Sequence, residues 1–324
     1  MIISTSNVPE FYLKVFKTIG TISICFSLSK FSLYNGILHT HDTQQIDDLQ
    51  IREYQKPHTY RAVSLDNQGV FEETLFRLPG VVYEWELPPL KHNQVQRTEV
   101  PYLRQHVGIT GLGLLYMSQA IENLHKMYAK FERILPVGEL DPWAADQSYL
   151  YEGISANCRY FTVGRSSSGQ QSIPFGDVID PDGILQCFIG DGVSHTTENT
   201  VLYLRATRPE LPDSKWRYTN INPMNFSIGD IVEMQFTVMA VRQKQGNYKV
   251  ITVLKSLTLL DDSIALAASA SRNRTVAVRA VPSKPFMSLS FALMKQLKVE
   301  LKSMTSVSSD LCYIKFQLQY ITPF

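Results

Sequence analysis

The chain has 324 residues, which is enough for one large or two modest domains with a buried core. Charged residues make up 19% of the sequence and the formal net charge is +1, which excludes a protein-wide field for binding polyanions but allows a local basic face. The four cysteines are far apart and form no CxxC pair. We therefore predict free thiols in a reducing compartment rather than a disulfide framework or a zinc site.

The first 55 residues form a segment without reliable periodicity. Its apolar stretch, Thr18 to Ser29, is shorter than the roughly 20 residues that a membrane-spanning helix needs. Glu10 lies upstream and no clear cleavage site follows, so a secretory signal is not expected. We predict an intracellular protein, cytoplasmic or nuclear, with no membrane partner.

Residues 56–140 are predicted to contain two strands and a helix. The strands are TYRAVSL, 59–65, and GVVYEWEL, 80–87, and simple alternation places Tyr83 and Trp85 on one face of the second. The helix is predicted over 112–134, where apolar residues recur at steps of three and four. The glycines before it spell neither a dinucleotide fingerprint nor a phosphate loop, so no nucleotide cofactor is predicted.

Residues 150–262 are predicted to form a β-rich core domain organised around a long hairpin, about 229–260. Gly229 permits a tight entry turn, and Val232, Met234, Phe236 and Val238 then share one apolar face of the first strand. Ile231, Glu233, Gln235 and Thr237 share the other face, which predicts a half-buried strand. Shorter strands are predicted over 158–163, 199–206 and 216–221. In the last segment, 263–324, the pattern suggests a helix over 290–301 and a strand over 312–321.

Together these elements predict an α+β fold in which β-structure dominates. The expected form is an antiparallel sheet or partly closed barrel, with the long hairpin and one main amphipathic helix. An oligonucleotide-binding-type barrel is one form that such a sheet can take.

An acidic stretch, residues 173–206, is the place to look for catalysis or metal binding. Asp180-Pro-Asp182-Gly183 fails the calcium-loop pattern, in which the glycine follows three ligands. His195, with Asp191 and Glu198 nearby in sequence, is the only cluster to nominate for a hydrolase or other enzyme, and no nucleophile accompanies it. We predict no catalytic, cofactor-binding or metal-binding residues.

The tip of the hairpin is basic and gives the candidate nucleic-acid-binding residues Arg242, Lys244 and Lys249. Aromatic residues Tyr203, Trp216 and Tyr218 could interleave with these cations, as in proteins that bind single-stranded nucleic acid. Three classes of function therefore stay open. A non-catalytic binding or interaction protein, with a protein or nucleic-acid partner, is favoured over a dedicated single-stranded nucleic-acid-binding module and over an enzyme centred on His195.

Four short patterns carry a resemblance to a known family. They are DPDGIL from Asp180, VSHTTENTVLY from Val193, GDIVEMQ from Gly229 and LKSLTLLD from Leu254. In this order, over about residues 155–265, they resemble a large uncharacterised family of proteins predicted from mushroom-forming (basidiomycete) fungi. The resemblance implies a fungal, intracellular setting. It brings no activity, cofactor or site residue to carry over.

Overall fold

The structure is a computed structural model, and the part of it described here lies within one compact unit, Ile19–Val278. The described residues are 37–39 (backbone only), 46–55, 57–66, 68–90, 97–148, 151–163, 171–190, 192–207, 216–263 and 265–266. The helix predicted over 290–301 and the strand predicted over 312–321 lie outside these residues.

The described residues contain fourteen strands, one long α-helix and four short 3-10 helices, which confirms the prediction of an α+β fold dominated by β-structure. The helix, α1, is Leu115–Glu132. The strands are β1 Ile37–His39, β2 Gln50–Gln55, β3 His58–Leu65, β4 Phe71–Glu73, β5 Leu75–Glu86, β6 Arg104–Thr110, β7 Asp146–Ser148, β8 Tyr151–Arg159, β9 Thr162–Val163, β10 Val193–Ser194, β11 Leu202–Thr207, β12 Arg217–Asn220, β13 Ile231–Arg242 and β14 Tyr248–Asp261.

Twelve of the strands belong to one sheet, and the other two, β9 and β10, pair with each other. The large sheet is mixed rather than wholly antiparallel, because β14 runs parallel to both β8 and β11. It contains strands from both of the segments 56–140 and 150–262.

Part of the large sheet closes into a ring of five strands. The ring runs from β5 to β6, β8, β14 and β13 and returns to β5, because β13 pairs with β14 on one side and with β5 on the other. The pairing that joins β8 to β14 is short, with one residue pair, Asn157 with Val253, in register. The sheet is therefore ringed in part and is not a barrel.

The hairpin formed by β13 and β14 is the longest pairing and supplies the middle of the core, as the alternation of its residues predicted. Val232, Met234, Phe236 and Val238 are all buried. The entry turn is the one that the sequence predicted, since Gly229 has a φ of 96°, a conformation that favours glycine.

The second face of β13 was predicted to be open to solvent, and that prediction is wrong. Glu233 and Thr237 are 1% and 3% exposed. The Arg77 guanidinium on β5 lies 2.7 Å from Glu233 Oε1, so the buried carboxylate has a charged partner across the strand pair. The polar residue Glu233 therefore marks a buried ion pair and not a solvent-exposed face of the strand.

The helix α1 confirms the predicted amphipathic segment, with ends a few residues inside the predicted 112–134. The buried residues of its apolar stripe are Met117, Ala120, Ile121, Leu124, Met127 and Phe131. They belong to the same core cluster as the inward residues of the ring, such as Val107, Ile154 and Phe236. The helix thus packs against the sheet through the face that its sequence spacing predicted.

A bulge in β5 changes the face on which one predicted aromatic lies. The pairing of β5 with β6 shifts between Val82 and Glu84, which leaves Tyr83 as the extra residue. The Tyr83 ring lies against Gly108 on the outer face of the ring, whereas Trp85 packs against the core. The two aromatics do not share a face, because simple alternation does not continue through a bulge.

Candidate nucleic-acid interface

The tip of the hairpin, residues 243–247, is a tight turn with its own hydrogen bonds. The amide of Gln243 donates to the carbonyl of Asn247 at 2.7 Å, and the amide of Gly246 donates to the carbonyl of Gln243 at 3.1 Å. Gly246 has a φ of 99°, which explains the glycine at this position. The Arg242 Nε donates to the Gly246 carbonyl at 3.2 Å, so this cation takes part in closing the turn.

The tip is also anchored to the segment that follows helix α1. Asp141 accepts hydrogen bonds from the side chains of Gln243 and Asn247, one on each carboxylate oxygen. The amide of Tyr248 donates to the carbonyl of Glu139 at 2.6 Å, and the amide of Asp141 donates back to the carbonyl of Tyr248 at 2.8 Å. These bonds fix the position of the tip relative to the rest of the fold.

Lys244 connects the tip to the loop between β5 and β6. Its Nζ donates to the phenol oxygen of Tyr102 at 2.5 Å and lies 5.3 Å from the centre of the Tyr102 ring. Together these two distances place the ammonium in line with the C–O bond, so both faces of the ring stay clear of it. Tyr102 is 55% exposed. The hydrogen bond from Lys244 and then its charge, with a smaller contribution from Arg159, lower the pKa of Tyr102.

Two arginines face each other beside Tyr102. Arg104, at the start of β6, pairs with Arg159, at the end of β8, and both side chains are exposed. The neighbouring pair is joined by a backbone hydrogen bond from Tyr160 to Leu103 at 3.0 Å. In an antiparallel ladder such positions alternate, so Arg104 and Arg159 occupy a non-hydrogen-bonded position, where the side chains lie closer together. Like charges directly opposite each other destabilise a strand pair.

We refer to Tyr102, Arg104, Arg159 and Lys244 as the Tyr102 cluster. Within the described ranges, no carboxylate lies at ion-pair distance from any of its three cationic groups. On the same outer face the next strand, β5, carries Glu84 and Glu86, and Glu84 Oε1 lies 3.0 Å from His106 Nε2. The cluster is thus an exposed aromatic ring with cationic side chains near it, none of which forms an ion pair within the described residues.

Arg242 and Lys249, the other two predicted candidates, are exposed but do not join the cluster. Arg242 pairs with Tyr248 and Lys249 pairs with Val241, so the two cations lie on opposite faces of the hairpin. The Arg242 guanidinium is 6.0 Å from the centre of the Tyr248 ring, on the face that is buried toward the core. Of the three predicted residues, Lys244 is the one that meets an exposed aromatic ring.

The three aromatics predicted to interleave with the tip have other surroundings. Tyr203 is buried, and its hydroxyl donates to the Gln105 side chain at 2.6 Å. Trp216 is half-buried and Tyr218 is exposed, on or beside the edge strand β12. Arg77 hydrogen bonds to Tyr218, which places this ring over the buried Glu233 pair and away from any contact recorded for the tip.

His195 occupies a structural position. Its ring is buried, stacks on Phe175 at 3.9 Å between centres, and lies with Nδ1 2.8 Å from the carbonyl of Tyr160. Burial lowers the pKa of His195, although the bond to Tyr160 acts in the opposite direction. Glu198 is turned to Arg61, 3.4 Å from its guanidinium, and Asp191 lies outside the described residues. His195 and Glu198 therefore have different partners in the described structure.

Three residues of the cluster, Tyr102, Arg104 and Arg159, were not singled out from the sequence. Strand β6 is short and glycine-bearing, so it gives no clear alternation, and its pairing with β8 brings together residues that are far apart in the chain. One weak signal exists. Tyr102 and Arg104 stand two residues apart, which places an aromatic residue close to a cation.

The described residues contain no group of three or more histidine, cysteine or acidic side chains that could hold a metal ion. No helix among them has both the length and the apolar character needed to cross a bilayer. Of the cysteines, Cys158 is buried and Cys187 is exposed, and burial raises the pKa of the Cys158 thiol to about 11.

Comparison with known proteins gives one distant structural likeness to report. No protein-family model and no curated protein matches the chain. Among solved structures, the chain is similar to gp2.5, a single-stranded DNA-binding protein encoded by bacteriophage T7, with 8% sequence identity and a TM-score of 0.29. The alignment covers 59% of this chain and 96% of the phage protein. A likeness at that score fixes neither the fold nor the function.

Proposed function

We propose that this chain is a non-catalytic, intracellular protein that binds single-stranded nucleic acid through the Tyr102 cluster. The observation that carries the proposal is an exposed aromatic ring with a lysine bonded to its hydroxyl and two opposed arginines nearby, while none of these cations has an ion-pair partner among the described residues. Aromatic rings stack on unpaired bases, and lysine and arginine attract the phosphates between them.

The location of the cluster in the ring of strands supports the same function. Oligonucleotide-binding folds use a five-stranded, partly open ring and bind along the second and third strands and at the loops that join strands one to two and four to five. In this ring the corresponding elements would be β6 and β8, the loop 87–103 and the hairpin tip 243–247. Each of these four elements contributes one residue to the Tyr102 cluster.

A single strand fits the cluster better than a duplex does. In a duplex the faces of the bases are stacked on one another, so an exposed tyrosine ring finds no free base unless the strand is open. The cluster also lies on strands and a tight turn rather than on a helix that could enter a major groove. Because the net charge is only +1, attraction to phosphates is local to the cluster, and each phosphate contact weakens as salt is added.

Fluorescence anisotropy with a labelled single-stranded oligonucleotide tests this proposal. We expect binding at low salt, progressive loss of affinity as salt is raised, and weaker binding to a duplex of the same sequence. The Lys244→Glu variant should bind more weakly than the wild type, whereas Arg133→Glu, an equal charge change at the exposed end of α1, should not. Absence of binding to any single-stranded probe at low salt would rule the proposal out.

A further inference from the structure

We infer that the Tyr102 cluster prefers the phosphorylated end of a single strand over an internal phosphodiester. This inference rests on the proposed function and adds the chemical class of the phosphate that the site receives. It comes from the arrangement of these cations, in which Arg104 and Arg159 are directly opposed in the β6–β8 ladder and Lys244 and Arg159 both act on Tyr102.

The opposed arginines differ from four other arginines of the described residues. Arg61, Arg77 and Arg205 form ion pairs with glutamate or aspartate side chains, and Arg52 lies over the ring of Phe71 at 3.4 Å. Arg104 and Arg159 instead face one another at a position where cross-strand side chains lie closest. An anion bound between them would offset the repulsion between the two guanidinium groups.

The charge of the cluster suits a phosphate monoester. An internal phosphodiester carries one negative charge, whereas a terminal monoester carries between about 1.5 and 2 near neutral pH and offers three strong acceptor oxygens. Two guanidinium groups present planar forks that match such oxygens, and the Lys244 ammonium adds a third donor group at the side. The two opposed arginines alone exceed the charge of a single internal phosphate.

The surroundings of the pair favour an end rather than a continuing strand. Arg104–Arg159 is the last residue pair of the β6–β8 ladder, next to the short helical turn Val100–Tyr102. In the other direction across the sheet, the outer face of β5 carries the exposed carboxylates Glu84 and Glu86. A phosphate backbone that continued over β5 would meet these negative charges, so the strand should begin or end at the arginine pair.

The test compares three otherwise identical single-stranded oligonucleotides that carry a 5′-phosphate, a 3′-phosphate or hydroxyl groups at both ends, each with an internal label. We expect one of the two phosphorylated forms to bind about tenfold more tightly than the hydroxyl form, which corresponds to about 1.4 kcal/mol. Arg104→Gln with Arg159→Gln should abolish this difference and leave weaker binding to all three. Inorganic phosphate should compete better with the preferred phosphorylated form than with the hydroxyl form.

Each other outcome has a definite meaning. Equal affinity for the three oligonucleotides would overturn this inference and leave the proposed function standing, whereas no binding to any of them would overturn both. A preference that persists in the double glutamine variant would also overturn the inference, because the phosphate would then be held elsewhere. Both arginines are exposed, and an unchanged thermal melt verifies that the variant is folded.

Discussion

The arginines of the covered sheet faces and the arginines of the Tyr102 cluster differ in one respect, which is the presence of a carboxylate partner. Arg77 holds the buried Glu233 through both Nε and Nη2, at 2.9 and 2.7 Å. Arg61 is 7% exposed and bridges Glu73 and Glu198. Arg104 and Arg159 are exposed and face each other. The first group is explained by folding, because a buried charge needs a partner, whereas the second is not.

The largest expected effect comes from breaking the buried ion pair between Arg77 and Glu233. Arg77→Met leaves the Glu233 carboxylate buried without its charged partner, so the free energy of unfolding should fall by about 3–5 kcal/mol. Chemical denaturation measures this change. Arg104→Met is the matched control and should change stability by no more than about 0.5 kcal/mol, because that side chain is exposed and has no ion-pair partner within the described ranges. If both variants lost the same free energy of unfolding, the arginines with carboxylate partners and those of the Tyr102 cluster would not differ in their contribution to stability.

Asp230 is a buried carboxylate that has no cation at ion-pair distance within the described part of the chain. Burial raises its pKa to about 7, and the charges of Asp262 and Asp261 add to this, while the amide of Ser227 and the charge of Arg205 oppose it. The folded state therefore holds a proton that the unfolded state releases above its ordinary pKa. Stability should fall by up to about 1.4 kcal/mol per pH unit as the pH rises from 4 to 7.

The control for this pH dependence is Asp230→Asn, which cannot ionise. Subtracting its stability profile from that of the wild type isolates the contribution of Asp230. The difference, wild type minus variant, should fall as the pH rises from 4 to 7. It should be flat above pH 8, where Asp230 is ionised in both the folded and the unfolded state. A difference that stays constant from pH 4 to 8 would show that Asp230 does not hold this proton.

On the binding side, reversal of both cluster arginines should have the largest effect. Arg104→Glu with Arg159→Glu replaces attraction by repulsion at the centre of the cluster, so affinity for a single-stranded oligonucleotide at low salt should fall on the order of a hundredfold. The comparison is Arg133→Glu combined with Lys126→Glu, which makes the same total charge change on α1. If that pair weakens binding as much, the effect comes from net charge and not from the cluster.

The smallest expected effect concerns the ring of Tyr102. Tyr102→Ala should weaken binding by about tenfold, within the range of 1–3 kcal/mol for the loss of one stacked base. Tyr102→Phe keeps the ring but removes the hydrogen bond from Lys244, so it should stay within about threefold of the wild type, since the stacked surface is retained. Equal losses for alanine and phenylalanine would indicate that the hydroxyl, not the ring, matters. Affinity measured by anisotropy separates these cases.

The comparison also shows which parts of the molecule the sequence could predict. The hairpin and helix α1 follow from apolar residues at periods of two and of three to four, a local pattern that survives in the fold. The same rule misread Glu233, because burial of that residue depends on Arg77 from a distant strand. It also misread Tyr83, because the bulge in β5 interrupts the alternation.

The candidate site was only partly predictable for the same reason. Lys244 stands out as a cation in a polar turn between two strong strands. Arg104 and Arg159 become a pair only through the register of β6 with β8, and Tyr102 joins them only because the hairpin tip reaches its loop. Register and loop contacts depend on the closure of the ring, including the parallel pairing of β8 with β14, which no local pattern encodes.

The most direct test of the central claim is the salt dependence of binding, compared between the wild type and the Arg104→Glu, Arg159→Glu variant. If both arginines contact phosphate, the slope of log K against log salt should become shallower by about 1.4, since each contact to a single strand contributes about 0.7. The Arg133→Glu variant should keep the wild-type slope. A slope that is the same in the wild type and the double variant would contradict the assignment of the Tyr102 cluster as the phosphate-binding site.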